Sequence, residues 1–132
     1  MKKLKIMTLG LAITFAFIAI ASAASYSSIV FSFSKTGNYV DKINSLKKGN
    51  DRLTADVYSK KDATLGLSLS KKGFFGYNFI SRCNPSIVDK TSVSCTWKDQ
   101  SAGTYKGTVV LNSTGSNYSG SVDGYMYLSD QV

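Results

Sequence analysis

Residues 81–97, SRCNPSIVDKTSVSCTW, hold both cysteines, the only proline and the only tryptophan of the chain. Val93, Cys95 and Trp97 alternate with Ser92, Ser94 and Thr96, a period of two that puts the three apolar side chains on one face of a strand. Two cysteines allow one intramolecular pairing, Cys83 to Cys95. The stretch therefore reads as a disulfide-closed corner between two strands, with Trp97 turned into the core beside Cys95. Closing so short a loop contributes about 3 kcal/mol by the chain-entropy argument.

The same alternation continues on both sides. Ile29, Phe31 and Phe33 share one face of a first strand, and Thr36-Gly37-Asn38 ends it. Residues 39–50 are ambiguous, because Val40, Ile43 and Leu46 also suit a short helical turn. Leu53, Ala55 and Val57 then alternate with Thr54, Asp56 and Tyr58. Lys60-Lys61-Asp62 reads as a turn into Leu65, Leu67 and Leu69, and Lys71-Lys72-Gly73 as another into Phe75, Tyr77 and Phe79. Beyond Trp97, Tyr105, Val109 and Leu111 face one way with Lys106 and Thr108 opposite. In a last strand Tyr118, Val122, Met126 and Leu128 oppose Ser119, Ser121, Asp123, Tyr125 and Tyr127. About seven short strands separated by turn clusters predict an all-β fold, an antiparallel sandwich with one disulfide.

The N-terminus has a different grammar. Lys2, Lys3 and Lys5 precede an apolar run, and Ala21-Ser22-Ala23 supplies small residues where a signal peptidase cuts. That is the layout of a secretory signal peptide over residues 1–23, leaving 24–132 as a single β-sandwich domain. Cleavage at Ala23 leaves no stable membrane span, and an oxidising destination suits the disulfide. Without the leader the chain keeps 13 of its 16 basic residues against 8 acids, all aspartate, a net charge of +5. Such a balance suits an anionic envelope polymer or lipid, and it equally suits ordinary solubility.

The inventory for catalysis is thin. There is no His and no Glu, so a Ser-His-Asp triad, a Cys-His pair and a zinc-hydrolase site are all out of reach. The cysteines are committed to the disulfide, and neither a metal nor another cofactor is expected. Asp56 and Asp123, mid-strand on polar faces, are the residues on which a minimal Asp-based glycan hydrolase would have to rest. Nucleic acid is disfavoured as a partner, since Arg52 and Arg82 are the only arginines and base readout leans on arginine forks.

Binding is the better expectation. Lys47-Lys48, Lys60-Lys61 and Lys71-Lys72 mark turns, and if hairpins alternate up and down, the first and third pairs share one end. The candidate binding surface is thus Lys47, Lys48, Lys71 and Lys72, with Tyr125 and Tyr127 as exposed rings beside Asp123.

The segments Tyr26-Ser27-Ser28-Ile29-Val30-Phe31-Ser32-Phe33 and Asn117-Tyr118-Ser119-Gly120-Ser121-Val122-Asp123-Gly124-Tyr125 resemble the two ends of small exported Gram-positive proteins of an uncharacterised domain family. In size and style the chain is also similar to lactococcin-like β-sandwich bacteriocins. These resemblances imply a secreted, non-catalytic bacterial β protein and transfer no functional residues. The expectation is a secreted, non-enzymatic binding protein acting at a bacterial cell surface, bacteriocin-like. The alternative is a secreted inhibitor or immunity-type protein with a protein partner.

Overall fold

A computed structural model describes residues 27–114 and 121–131. Residues 1–23, read above as a signal peptide, and Tyr118 and Ser119, expected in the last strand, lie outside those residues. Seven strands follow in chain order: β1 (Ile29–Phe33), β2 (Tyr39–Leu46), β3 (Gly49–Gly73), β4 (Gly76–Cys83), β5 (Ser86–Gln100), β6 (Gly103–Thr114) and β7 (Val122–Gln131). All pairings among them are antiparallel.

The organising strand is β3. Its first half pairs with β5 on one side and β7 on the other, from Asn50↔Gln131 to Ser59↔Val122. Its second half pairs with β4 and β6, from Leu67↔Cys83 and Leu65↔Leu111 onward. One strand therefore belongs to two layers, β1–β7–β3–β5 and β2–β6–β3–β4, which fold against each other to make the sandwich.

The seven strands are not divided as the sequence suggests. Lys60-Lys61-Asp62 is no hairpin: β3 continues through it without reversing, and the register with β5 slips between Ser59 and Ala63. A bulge bends a strand without reversing it, and three solvated charged residues suit that outer corner. Residues 39–46 form β2 rather than a helical turn. Pairing with β6 leaves Ile43 exposed while Leu46 is buried, so the helical spacing of apolar residues was coincidental.

Because β4 and β5 are separated only by Asn84-Pro85, β3 and the pair β4–β5 amount to one long hairpin folded at its middle. The bend falls at 60–62 on the outgoing arm and at Asn84-Pro85 on the return arm. Pro85 suits that place, having no N–H to lose from a ladder. The Cys83–Cys95 disulfide joins the return arm to itself across the bend, with Cα atoms 6.3 Å apart. It closes the seam between β4 and β5. At the opposite seam, Asn44 Nδ2 donates to the Leu128 carbonyl at 2.6 Å and the Lys47 backbone N–H donates to Asp130 at 2.6 Å.

Between the layers, alternate residues of β3 (Leu53, Ala55, Val57, then Leu65, Leu67, Leu69) meet Val109 and Leu111 of β6 and Val122, Met126 and Leu128 of β7. Phe31 and Phe33 stack with ring centroids 4.4 Å apart and cover β7. Trp97 is buried in this core and its indole N–H donates to Ser81 Oγ of β4 at 2.5 Å, a second tie across the disulfide seam. Gly124 stands in register between Phe31 and Val57, where a Cβ would lie 2.1 Å from the Asp56 carbonyl oxygen. Only glycine lets β7 approach β3 that closely.

Candidate functional site

The outward face of the β2–β6–β3–β4 layer carries residues whose placement the core does not require. Register partners point to the same side of a sheet, so rows can be read across all four strands. One row is Asp41, Thr108, Ser68 and Arg82. The next is Ile43, Lys106, Ser70 and Phe79. Tyr39 and Val110 begin a row on one flank, and Lys72 with Tyr77 stands on the other.

On the floor of this face, β6 and β3 contribute the short hydroxyl side chains of Thr108, Ser68 and Ser70, with Lys106 beside them. The rims are apolar and open: Tyr39 is 65% exposed and Ile43 51% on β2, and Phe79 is 62% exposed on β4. Thr108 Oγ1 donates to Asp41 at 2.6 Å, which fixes the carboxylate at one end of its row. Lys106 Nζ lies 4.7 Å from the Tyr77 ring centroid, a cation–π contact that holds the phenol against the sheet. A hydroxylated floor between aromatic rims offers hydrogen bonds along its length and flat apolar surface at its edges.

The sequence-predicted surface divides into two parts. The structure brings the lysines together: Leu46 pairs with Gly103 and Lys71 with Tyr105, so the link after β2 and the end of β3 flank the same start of β6. Lys47, Lys48 and Lys72 are exposed there, while Lys71 is half-buried, bonded to Ser101 and set 5.6 Å from the Tyr105 ring centroid. The tyrosines lie elsewhere, on the other layer.

Tyr125 is also not the exposed ring it was expected to be, at 4% exposure. It sits mid-sheet between Val30 and Asp56, and burial first, then the charge and hydrogen bond of Asp56, hold its hydroxyl protonated well above the ordinary tyrosine range. Tyr127 is half-buried opposite Thr54. Asp56 is thus engaged by Tyr125, and Asp123 accepts from Ser32 and Ser121.

Two features escaped the sequence reading. The turn after β3 is made by Phe74-Phe75 themselves, 92% and 96% exposed, so Phe75 belongs to a hairpin tip and not to a strand. Asp51, a charged residue beside the Lys47-Lys48-Gly49-Asn50 cluster, is fully buried opposite Trp97, and neither of its carboxylate oxygens has a hydrogen-bond partner among the described residues. Burial, then the Asp130 charge, raise its pKa to about 7, with Lys71 acting in the opposite sense. A carboxylate sealed from solvent has no route to a substrate. Among the described residues no group of three His, Cys, Asp or Glu could hold a metal ion, and no helix is long and apolar enough to cross a membrane.

No family model matches the chain, and no curated protein does. Among solved structures it is similar to a protein of Sulfurospirillum deleyianum, at 11% identity and a TM-score of 0.50 over 83% of this chain and 100% of that one. It is also similar to TmCBM61 in complex with β-1,4-galactotriose, at 15% identity and a TM-score of 0.48 over 86% of this chain and 78% of that one. A carbohydrate-binding module of lichenase 5A from Cellvibrio mixtus, in complex with cellotriose, is similar at 10% identity and a TM-score of 0.48, over 83% and 88% of the two chains. At such identities the likeness is one of fold alone.

Proposed function

We propose that the protein is a non-enzymatic binding protein that holds an extended polysaccharide of the cell envelope across the outward face of β2–β6–β3–β4. The observation that carries this is the pair of rows spanning four strands, with a hydroxyl floor and exposed Tyr39, Ile43 and Phe79 at its two edges. Sugar rings present flat C–H faces and a rim of hydroxyls. The faces pack on aromatic and aliphatic edges, and the hydroxyls exchange hydrogen bonds with Thr108, Ser68, Asp41 and Arg82. Exposed aromatics with a few placed polar groups are what an orienting binding site requires. Lys106, Arg82 and Lys72 favour an anionic polymer. The saccharides held by the two modules named above belong to those proteins, and the reading here rests on the face itself.

Retention on insoluble bacterial cell-wall polysaccharide tests the proposal. Tyr39→Ala and Phe79→Ala, on opposite rims, are each expected to weaken retention severalfold while leaving the fold intact. Equal retention of the wild-type and both variants would overturn it. Stoichiometric capture of one protein from culture medium, with no polysaccharide retained, would favour the inhibitor or immunity reading instead.

A further inference from the structure

A two-residue hairpin tip is ordinarily built from Asn, Asp or Gly, whose backbones reach the turn and whose side chains suit water. In Gly73-Phe74-Phe75-Gly76 the glycines flank the tip, and Gly76 takes the left-handed conformation at φ 132°. Phe74 and Phe75 keep ordinary negative φ, so the turn does not need them. Nor does the core: the two rings touch each other edge to face, 4.7 Å between centroids, and are otherwise in solvent. These two adjacent phenylalanines are the most exposed large apolar side chains among the described residues, and folding gains nothing from them.

The company they keep indicates their partner. The tip lies at the same end as Lys47 and Lys48, with Lys71 and Lys72 immediately before it. The acids at that end are Asp51, buried, Asp130, which accepts the Lys47 backbone N–H, and exposed Asp99, so cations predominate. Apolar rings projecting beyond a collar of lysines complement an anionic bilayer, whose headgroups attract the lysines and whose acyl boundary accepts the rings.

We infer that the Phe74–Phe75 tip is a membrane-interface anchor, seated in the headgroup region of anionic lipid and steered there by Lys47, Lys48 and Lys72. Insertion is shallow, because the hairpin end carries backbone N–H and C=O groups that hydrocarbon would leave unpaired. The two rings lie outside the polysaccharide face, and the anchor shares only Lys72 with its flank, so removing the rings leaves that face in place.

The test is co-sedimentation with vesicles of phosphatidylglycerol and phosphatidylcholine, and with vesicles of phosphatidylcholine alone. The wild type is expected to partition to the anionic vesicles at low salt and to be released as salt rises. Phe74→Ser with Phe75→Ser should lower that partitioning roughly tenfold for each ring removed. The double variant should keep its retention on cell-wall polysaccharide, which distinguishes loss of the anchor from loss of the fold or of the other site. As an independent readout, Phe75→Trp should shift its emission to the blue on anionic vesicles. Equal partitioning by wild type and double variant, or no partitioning at low salt, would overturn the inference. So would a wild-type dimer that the double variant loses without any vesicle binding, since the tip would then serve a second copy of the chain.

Discussion

Asp51 and Lys71 lie on the same strand and interact electrostatically at one end of the molecule, because β3 is folded in half at its charged bulge. The interaction is too weak to compensate for burial, and the Asp51 carboxyl titrates near 7 rather than at 3.8. Between those values the folded state holds a proton that the unfolded chain has released, so stability falls as pH rises across that window and stays low above it.

Replacing Asp51 by Asn removes the charge while keeping the shape. Asp51→Asn should therefore be nearly neutral at pH 4 and more stable than wild type by about 1–3 kcal/mol at pH 8. Urea denaturation at the two pH values checks this, and an equal difference at both would be the opposite outcome.

The disulfide and the Trp97–Ser81 bond tie the same seam in two ways. Reducing Cys83–Cys95 should cost about 2–4 kcal/mol and shift Trp97 emission to the red as the β4–β5 seam loosens. Ser81→Ala, which leaves the indole N–H buried without its acceptor, should cost about 1–2 kcal/mol with the disulfide intact. Denaturation monitored by tryptophan fluorescence reads both.

Among the described glycines, Gly124 has the least room for a side chain. Gly124→Ala forces β7 away from the Asp56 backbone, and a loss of about 4 kcal/mol or more is expected, enough to leave little folded protein at 37 °C. Thermal unfolding by circular dichroism would show it.

What the sequence made legible was whatever depended on alternation. Phe31 with Phe33, Leu65 with Leu67 and Leu69, and Val93 with Cys95 and Trp97 all face the core as a period of two requires. The continuity of β3 was not legible, because Lys60-Lys61-Asp62 has the composition of a turn and a bulge uses the same residues. Tyr125 misled because parity gives the face of a sheet, whereas exposure depends on the neighbours in register, here Val30 and Asp56. Asp51 misled for the reverse reason: a charged residue near a strand end looks solvated until pairing sets it between Trp97 of β5 and Asp130 of β7. The rows Asp41–Thr108–Ser68–Arg82 and Ile43–Lys106–Ser70–Phe79 join residues far apart in the chain, and only the pairing register assembles them.

The most direct test of the polysaccharide face is titration of the isotopically labelled protein with a soluble cell-wall oligosaccharide, followed by amide chemical shifts. Movement is expected at Asp41, Thr108, Ser68 and Phe79, with Tyr58 and Lys90 on the other layer unmoved. Shifts confined to the β1–β7–β3–β5 layer, or none at saturating saccharide, would contradict it.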